Sequence, residues 1–265
     1  MNTENSTAGT SDHPVVITRI AEREWQALAD DQVVGCGDVS PRPDGRVFLS
    51  IDAWHDAVFD RLAAAMLAEL PRPLYTVVDE ADRDLTSNWE RVGFTVRRRE
   101  WEYVVPTDPQ VTGLDALQPP SGVTIVLVGE AEEGPLRALD RAIREEVEAT
   151  VGWQAMPAEV LPRPLGTTVL YPSKYAVAAQ SDQYVGMVRV APLTRRPRIG
   201  LIAVLADRHR RGIARALLAQ VLGSLHSSGI ETASAEVNES NEAATALFEG
   251  VGAQRAGSNL ELVCR

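Results

Sequence analysis

The sequence predicts a mixed α/β protein made of two tandem units, each a twisted, mostly antiparallel sheet flanked by helices. Three observations carry that expectation. Short apolar runs suited to strands alternate with stretches of helical spacing. Segments of the first half recur in the second half in the same order. A stretch rich in proline and glycine separates the two copies.

The repeat organises the chain. Residues 31–35 read DQVVG and residues 182–186 read DQYVG, a shift of 151 (182 − 31). Further on, Trp89-Glu90-Arg91-Val92-Gly93-Phe94 aligns with Phe248-Glu249-Gly250-Val251-Gly252-Ala253. That shift is 159 (252 − 93), and it also pairs Val78 with Val237 and Glu102 with Glu261. The growth in offset falls between Ser40 and Trp89, where both copies place a strand before a helix. In the first copy the strand Arg46–Ile51 runs almost directly into its helix. In the second, the strand Ile199–Leu205 is followed by ADRHRRG, so the extra residues are largely that loop. The second copy also has an added N-terminal portion, roughly Gly122–Leu165.

The expected division follows. Residues 1–14 form a polar, Ser/Thr-rich disordered tail, 15–106 a degenerate unit, 107–121 a linker, and 122–265 a catalytic domain. The proline-rich LPRPLG at 161–166 falls inside the second unit.

Apolar residues make up 45% and charged ones 24%, the balance of a soluble globular chain. No run of about 18 apolar residues occurs, so no membrane span is expected. The tail has no apolar core and does not read as a signal peptide. Two cysteines, Cys36 and Cys264, are too few for a disulfide framework or metal cluster and fit a reducing cytoplasm. A net charge of −11 argues against nucleic acid as the main partner, because phosphate binding needs a positive field; it is compatible with a cationic substrate.

The loop after the apolar strand Ile199–Leu205 carries the chemistry. A helix is expected from Ile213, with apolar residues at 214, 217, 218, 221, 222 and 225 and a glycine stop at Gly229. The loop holds Arg208, Arg210 and Arg211, and Arg215 lies one turn into the helix. Cations at a helix N-terminus are unfavourable unless an anion binds against the open N–H groups. Gly212 lets the backbone approach such an anion, and Ala214 keeps the first turn uncrowded. A phosphate or pyrophosphate fits. A solvated basic turn, partly balanced by Asp207, is the plainer alternative. No GKS or GKT follows, so this is not a nucleotide P-loop.

Here the sequence resembles the GNAT superfamily of N-acyltransferases. That family's signature is a strand ending in Val, then Arg/Gln-x-x-Gly-x-Gly/Ala opening a helix. The stretch here is His209-Arg210-Arg211-Gly212-Ile213-Ala214, five residues after Val204, with His209 departing from the pattern. The family's second segment, Asn-x-x-Ala-x-x-x-Tyr/Phe-x-x-x-Gly-Phe, is matched by Asn241, Ala244, Phe248 and Gly252, with Ala253 in the final place. The resemblance covers Tyr175–Val263 well, and Gly122–Gly166 only by length and element order. It implies that backbone N–H groups of 209–214 grip the pyrophosphate of acetyl-CoA, the co-substrate, without a metal. It also implies that a backbone N–H of Ile202, Ala203 or Val204 polarises the thioester carbonyl. Asn241 and Phe248 complete the expected cofactor set.

Acyl transfer to an amine needs an acceptor that loses a proton and a thiolate that leaves. Many family members use a tyrosine to protonate the thiolate, and Phe248 stands in its place, where it also reads as a packing residue. Solvent suffices for a thiol of pKa about 8.5, and Ser240 is a second option. The fourth strand lacks the glutamate that often serves as base. Glu236, near the end of the next strand, is the catalytic candidate, its plainer reading being an exposed strand residue. A base acting through water, or an amine already deprotonated, also suffices. His226 reads as surface, and His55 has no evident partner. No metal is expected.

The helix after residue 130 carries Glu132, Glu133, Asp140, Glu145, Glu146 and Glu148, a surface for a cationic amine, or a solvated face paired internally with Arg137, Arg141 and Arg144. The first unit lacks the glycine loop and has Asp82 where the second has Asn241. It resembles the inactive half of tandem GNAT proteins with one active unit, a group that includes mycothiol synthases. The reading is an acetyl-CoA-dependent N-acetyltransferase acting on a primary amine of a small molecule or peptide. The alternative is a non-catalytic acyl-CoA-binding regulatory module, because acid and base are both unassigned.

Overall fold

The computed structural model of the protein describes residues 14–42, 44–150, 152, 170–192 and 196–265. The tail through residue 13 and the proline-rich 161–166 lie outside the described residues. The first half runs β1 (Val16–Ala21), β2 (Glu24–Ala29), β3 (Gln32–Pro41), β4 (Val47–Ala53), α1 (Asp56–Glu69), β5 (Leu74–Asp79), α2 (Arg83–Arg91) and β6 (Thr95–Pro106). A one-turn helix, α3 (Pro109–Thr112), leads to β7 (Val123–Val126) and α4 (Glu133–Thr150). The second half continues with β8 (Tyr175–Gln180), β9 (Gln183–Ala191), β10 (Arg198–Val204), α5 (Ile213–Ser227), β11 (Thr232–Asn238), α6 (Glu242–Glu249) and β12 (Gln254–Cys264).

The two halves repeat each other in detail. The β2–β3 hairpin turns on Asp30-Asp31, with φ of 50° and 58°, and the β8–β9 hairpin on Ser181-Asp182, with φ of 48° and 63°. Both are two-residue turns with left-handed central positions, whose twist suits a hairpin. Each ladder then slips by one residue at the same point, between Ala27 and Leu28 and between Ala178 and Ala179. Opposite the slip stand Gly35 and Gly186. A Cβ on Gly35 would meet Leu62 and Val58 at 3.0 Å, and one on Gly186 would meet Ile213 and Val204 at 3.2 Å. The repeated DQ-x-V-G therefore encodes a turn, a bulge and a bare patch on which the following helix rests.

From that helix onward the offset is 159. The buried positions Val58, Phe59, Leu62 and Ala63 of α1 match Leu217, Leu218, Val221 and Leu222 of α5. Asp82 caps α2 by accepting the Leu85 N–H, and Asn241 caps α6 by accepting the Ala244 N–H. The whole growth of eight residues (159 − 151) thus lies where β10 passes into α5.

All strands of the described residues join one sheet, in the order β1-β2-β3-β4-β5-β12-β6-β11-β10-β9-β8-β7. The last strand of each half pairs with the other half: β6 lies against β11, and β12 against β5. The registers match at the 159 offset, since Glu236 faces Glu102 as Val77 faces Glu261, and Val237 faces Trp101 as Val78 faces Leu260. At the centre, Glu80 N–H donates to Ser258 O at 2.9 Å and Glu239 N–H to Arg99 O at 3.1 Å. The Arg99 guanidinium binds both glutamates, at 2.7 Å each.

Helices α1 and α2 cover the first half over Trp25, Leu62, Met66 and Trp89. Helices α5 and α6 cover the second over Leu217, Leu222, Val237 and Phe248. Helix α4 lies on the opposite face, burying Leu136, Leu139 and Ile143 against Tyr175, Val177 and Met187. Among the described residues no helix covers that face of the first half, and none is long and apolar enough to cross a membrane.

Candidate functional site

A crevice opens where β10 and β11 separate. These parallel strands pair only at Arg198 with Ser234 and at Ile199 with Ala235. Beyond Ile199, β10 leans on β9 alone. Leu201, Ile202, Ala203 and Val204 are therefore only half-buried, although β10 lies inside a twelve-stranded sheet. The helices diverge there too. Helix α5 lies over β7 to β10, whereas α6 packs the Phe248 ring against Tyr103 of β6, with centroids 6.1 Å apart. The parting strands and the diverging helices leave a crevice at the carboxyl ends of β10 and β11.

The long loop borders this crevice. Leu205 N–H donates to Val185 O at 3.0 Å, and a single 3-10 turn follows at Ala206–Arg208. Glu146 of α4 accepts the Ala206 N–H at 3.0 Å, anchoring the loop from the other face. His209 Nε2 donates to Val204 O at 2.7 Å, which folds the imidazole back onto the strand. Arg211 donates to Asp207 O at 2.9 Å. Arg210 is left-handed at φ 59°, and Gly212, the N-cap of α5, has φ 83°. Only glycine adopts that second conformation without strain.

A glycine N-cap has no side chain to offer. Asp82 and Asn241 each occupy a first-turn N–H of their helices, whereas Gly212 leaves those of α5 uncapped. Open N–H groups and the positive end of the macrodipole make an anion site. The remaining expected residues fall around it. Ile202 and Val204 pack toward the α5 core, Ala203 toward α4. Ile213 is buried and Ala214 half-buried in the first turn of α5. Asn241 is an exposed cap. Phe248, expected in the cofactor set, is 3% exposed and sealed against Tyr103, so its side chain packs the core and offers a cofactor no surface.

Comparison with known proteins bears on this geometry. The sequence profile of the Acetyltransferase (GNAT) family matches residues 142–253. That stretch is similar to a GNAT acetyltransferase domain. Solved structures with the same fold include a GCN5-related N-acetyltransferase from Sphaerobacter thermophilus, 17% identical, TM-score 0.61, covering 93% of this chain and 81% of that one. A tandem GNAT protein from the clavulanic acid biosynthesis pathway is 13% identical, with TM-score 0.64, covering 91% and 82%. A GCN5-related N-acetyltransferase from Kribbella flavida is 16% identical, with TM-score 0.59, covering 95% and 89%. No curated protein matches the sequence.

Glu236, expected as base, lies on the α4 side of the second half's sheet. Both its oxygens accept from Arg198 Nη1 at 3.0 Å. It lines a cavity of about 150 Å³ with Glu102, Arg196, Arg198 and Ser234. Glu102 is supplied by β6 of the first half. Ser240 donates to Asn238 Oδ1 at 2.8 Å. The acidic residues of α4 are largely engaged: Glu133 binds Arg137 and Asp140 binds Arg144, both at 2.6 Å, while Glu146 holds the loop. His226 is exposed in the last turn of α5, and His55 precedes α1 without a side-chain cap bond. Among the described residues no three His, Cys, Asp or Glu side chains gather as a metal site requires.

In the first half β4 and β5 likewise pair at only Val47–Leu74 and Phe48–Tyr75, but side chains bridge the gap. The Thr76 hydroxyl donates to Leu49 O at 3.0 Å, stitching β4 to β5; the matching residues in the second half are Ala235 and Gly200. Phe59 and Trp89 meet edge to face at 5.0 Å, and Arg91 binds Asp60 at 2.8 Å, joining α1 to α2. At the 159 offset Asp60 and Arg91 become Ala219 and Gly250, which cannot pair. Sequence reading missed Thr76, Arg198 and Glu102. The repeat alignment holds the signal for Thr76; the other two emerge only from strand order.

Proposed function

We propose that the C-terminal half binds acetyl-CoA and transfers its acetyl group to a primary amine of a small molecule or peptide. The observation that carries this reading is the uncapped mouth of α5, with Gly212 at φ 83°, opening beside parted parallel strands. Main-chain N–H groups of 209–214 hold the pyrophosphate, so His209 is tolerated with its ring turned back to Val204. The pantetheine arm enters the gap beyond Ile199. An N–H of the Ile202–Val204 stretch, left free on the side facing β11, polarises the carbonyl. The thiolate leaves to solvent. Glu236 acts as base once the acceptor amine displaces Arg198, or the amine arrives already deprotonated. Chains of this family need no metal for such a step, and none is proposed. The first half, closed by Thr76 and the Asp60–Arg91 pair, binds no coenzyme A and instead completes the sheet.

Calorimetric titration of acetyl-CoA tests the reading. Wild type binds, and Gly212→Asp, which puts a strained side chain and a negative charge at the helix mouth, loses at least about tenfold in affinity. Unchanged affinity removes the loop from the mechanism. The Arg198–Glu236 pairing also supports a second reading, an acyl-CoA-binding regulatory module without turnover. Binding with no thiol release across a broad amine panel selects it.

A further inference from the structure

Arg189 of β9 is unexplained by anything above. Its neighbour across the β8 ladder is Tyr175, so both side chains lie on the α4 face. Its Nη1 is buried and has no hydrogen-bond partner among the described residues. A Cβ placed on Gly200 would stand 2.8 Å from that nitrogen, which locates the guanidinium over the residue that follows the last β10–β11 pair. The group therefore sits at the crotch of the crevice.

The surrounding charges leave a surplus. Asp140 and Arg144 face the same Tyr175 phenol, and Asp140 is already bound by Arg144 at 2.6 Å. Burial pushes the Tyr175 hydroxyl above the usual phenol range, while Arg189 pulls it down. Glu236, the next carboxylate along, is held by both its oxygens on Arg198. Two carboxylates, Asp140 and Glu236, are thus each taken by an arginine, Arg144 and Arg198, and Arg189 is the third guanidinium among these groups. A buried N–H of a cation without an acceptor is costly, and the remedy is an anion that arrives from outside. Glycine at 200 is what leaves room for the guanidinium itself.

We propose that Arg189 receives a carboxylate of the acceptor, so the amine acetylated in this crevice belongs to an amino acid. This rests on the acetyltransferase reading above and deepens it. The amine end meets Glu236 and Glu102 in the cavity those carboxylates line, and the planar fork of the guanidinium takes the carboxylate in a bidentate pair. Arg189 selects the substrate and takes no part in the bond changes.

The test is thiol release from acetyl-CoA with each of the twenty α-amino acids, β-alanine and 4-aminobutyrate, each compared with its amide. At least one acid is expected to exceed its amide about tenfold in kcat/KM. Arg189→Gln then raises KM for that acid about tenfold, with kcat and the amide's KM nearly unchanged. Equal use of acids and amides, or equal damage to both by the substitution, overturns the proposal. So does a panel with no turnover in which calorimetry still shows acetyl-CoA bound. Failure of wild type to bind acetyl-CoA removes the acetyltransferase reading instead, and this inference with it. Arg189→Met supplies the check on folding: its thermal midpoint should equal or exceed that of wild type, because an unpaired buried charge is lost. A large fall marks the guanidinium as structural and also overturns the proposal.

Discussion

Cys36 shows how strongly one side chain's surroundings on the first-half sheet set its chemistry. It faces Asp52 across the β3–β4 ladder and shares its strand with Asp38. Partial burial, then these two carboxylates, push its thiol above the ordinary range. The thiolate is the reactive form, so alkylation by iodoacetamide at pH 8 should be slower than for an unhindered cysteine peptide. Asp52→Asn should speed it, and labelling as fast as the peptide would contradict the assignment. Residues of this kind are hard to see in sequence, because ladder partners are set by register. His209 shows the same. Its departure from the family pattern is visible in the letters, but the bond that makes it harmless, from Nε2 to the Val204 carbonyl, is a matter of the turn that follows.

At the level of elements, the repeat was more legible than the site. The match of DQVVG with DQYVG encodes a left-handed two-residue turn, a bulge and a glycine contact, all local and all repeated at 151. The eight-residue insertion is local as well, since it separates one strand from one helix. The exchange of final strands was not legible, because β6 and β12 differ little in pattern from strands that return to their own half. Arg99, which bridges Glu80 and Glu239 across that junction, should therefore matter to stability. A third of each of the Arg99 and Glu80 side chains stays exposed, so Arg99→Ala should cost about 1 kcal/mol in denaturant unfolding at pH 7. The Arg99 and Ser258 hydrogen bonds hold the Glu80 carboxyl below its usual range. A lowered carboxyl contributes its stability above the unfolded pKa, about 4.3, and loses it as pH falls through the folded value. The gap between wild type and variant should accordingly be full at pH 7 and shrink below pH 4. A gap independent of pH over that range would exclude the carboxylate as the cause.

For the whole molecule, the decisive feature is the twelve-stranded sheet with each half's last strand lodged beyond the other's β5 or β11. A fragment of residues 107–265 keeps the α5 loop but loses β6, which hydrogen-bonds both β11 and β12. It leaves β11 bare on one side and β12 on both, which should make it aggregate or multimerise in size-exclusion chromatography, whereas a fragment beginning at residue 95 covers the two edges that face β6 and should do so markedly less. A soluble monomeric 107–265 that binds acetyl-CoA would show the strand to be dispensable. The same interlock bears on inheritance. If the first half binds no coenzyme A, as proposed, deleting it would still strip β6 from β11 and β12, so sequence drift can alter its loops and leave its backbone under selection.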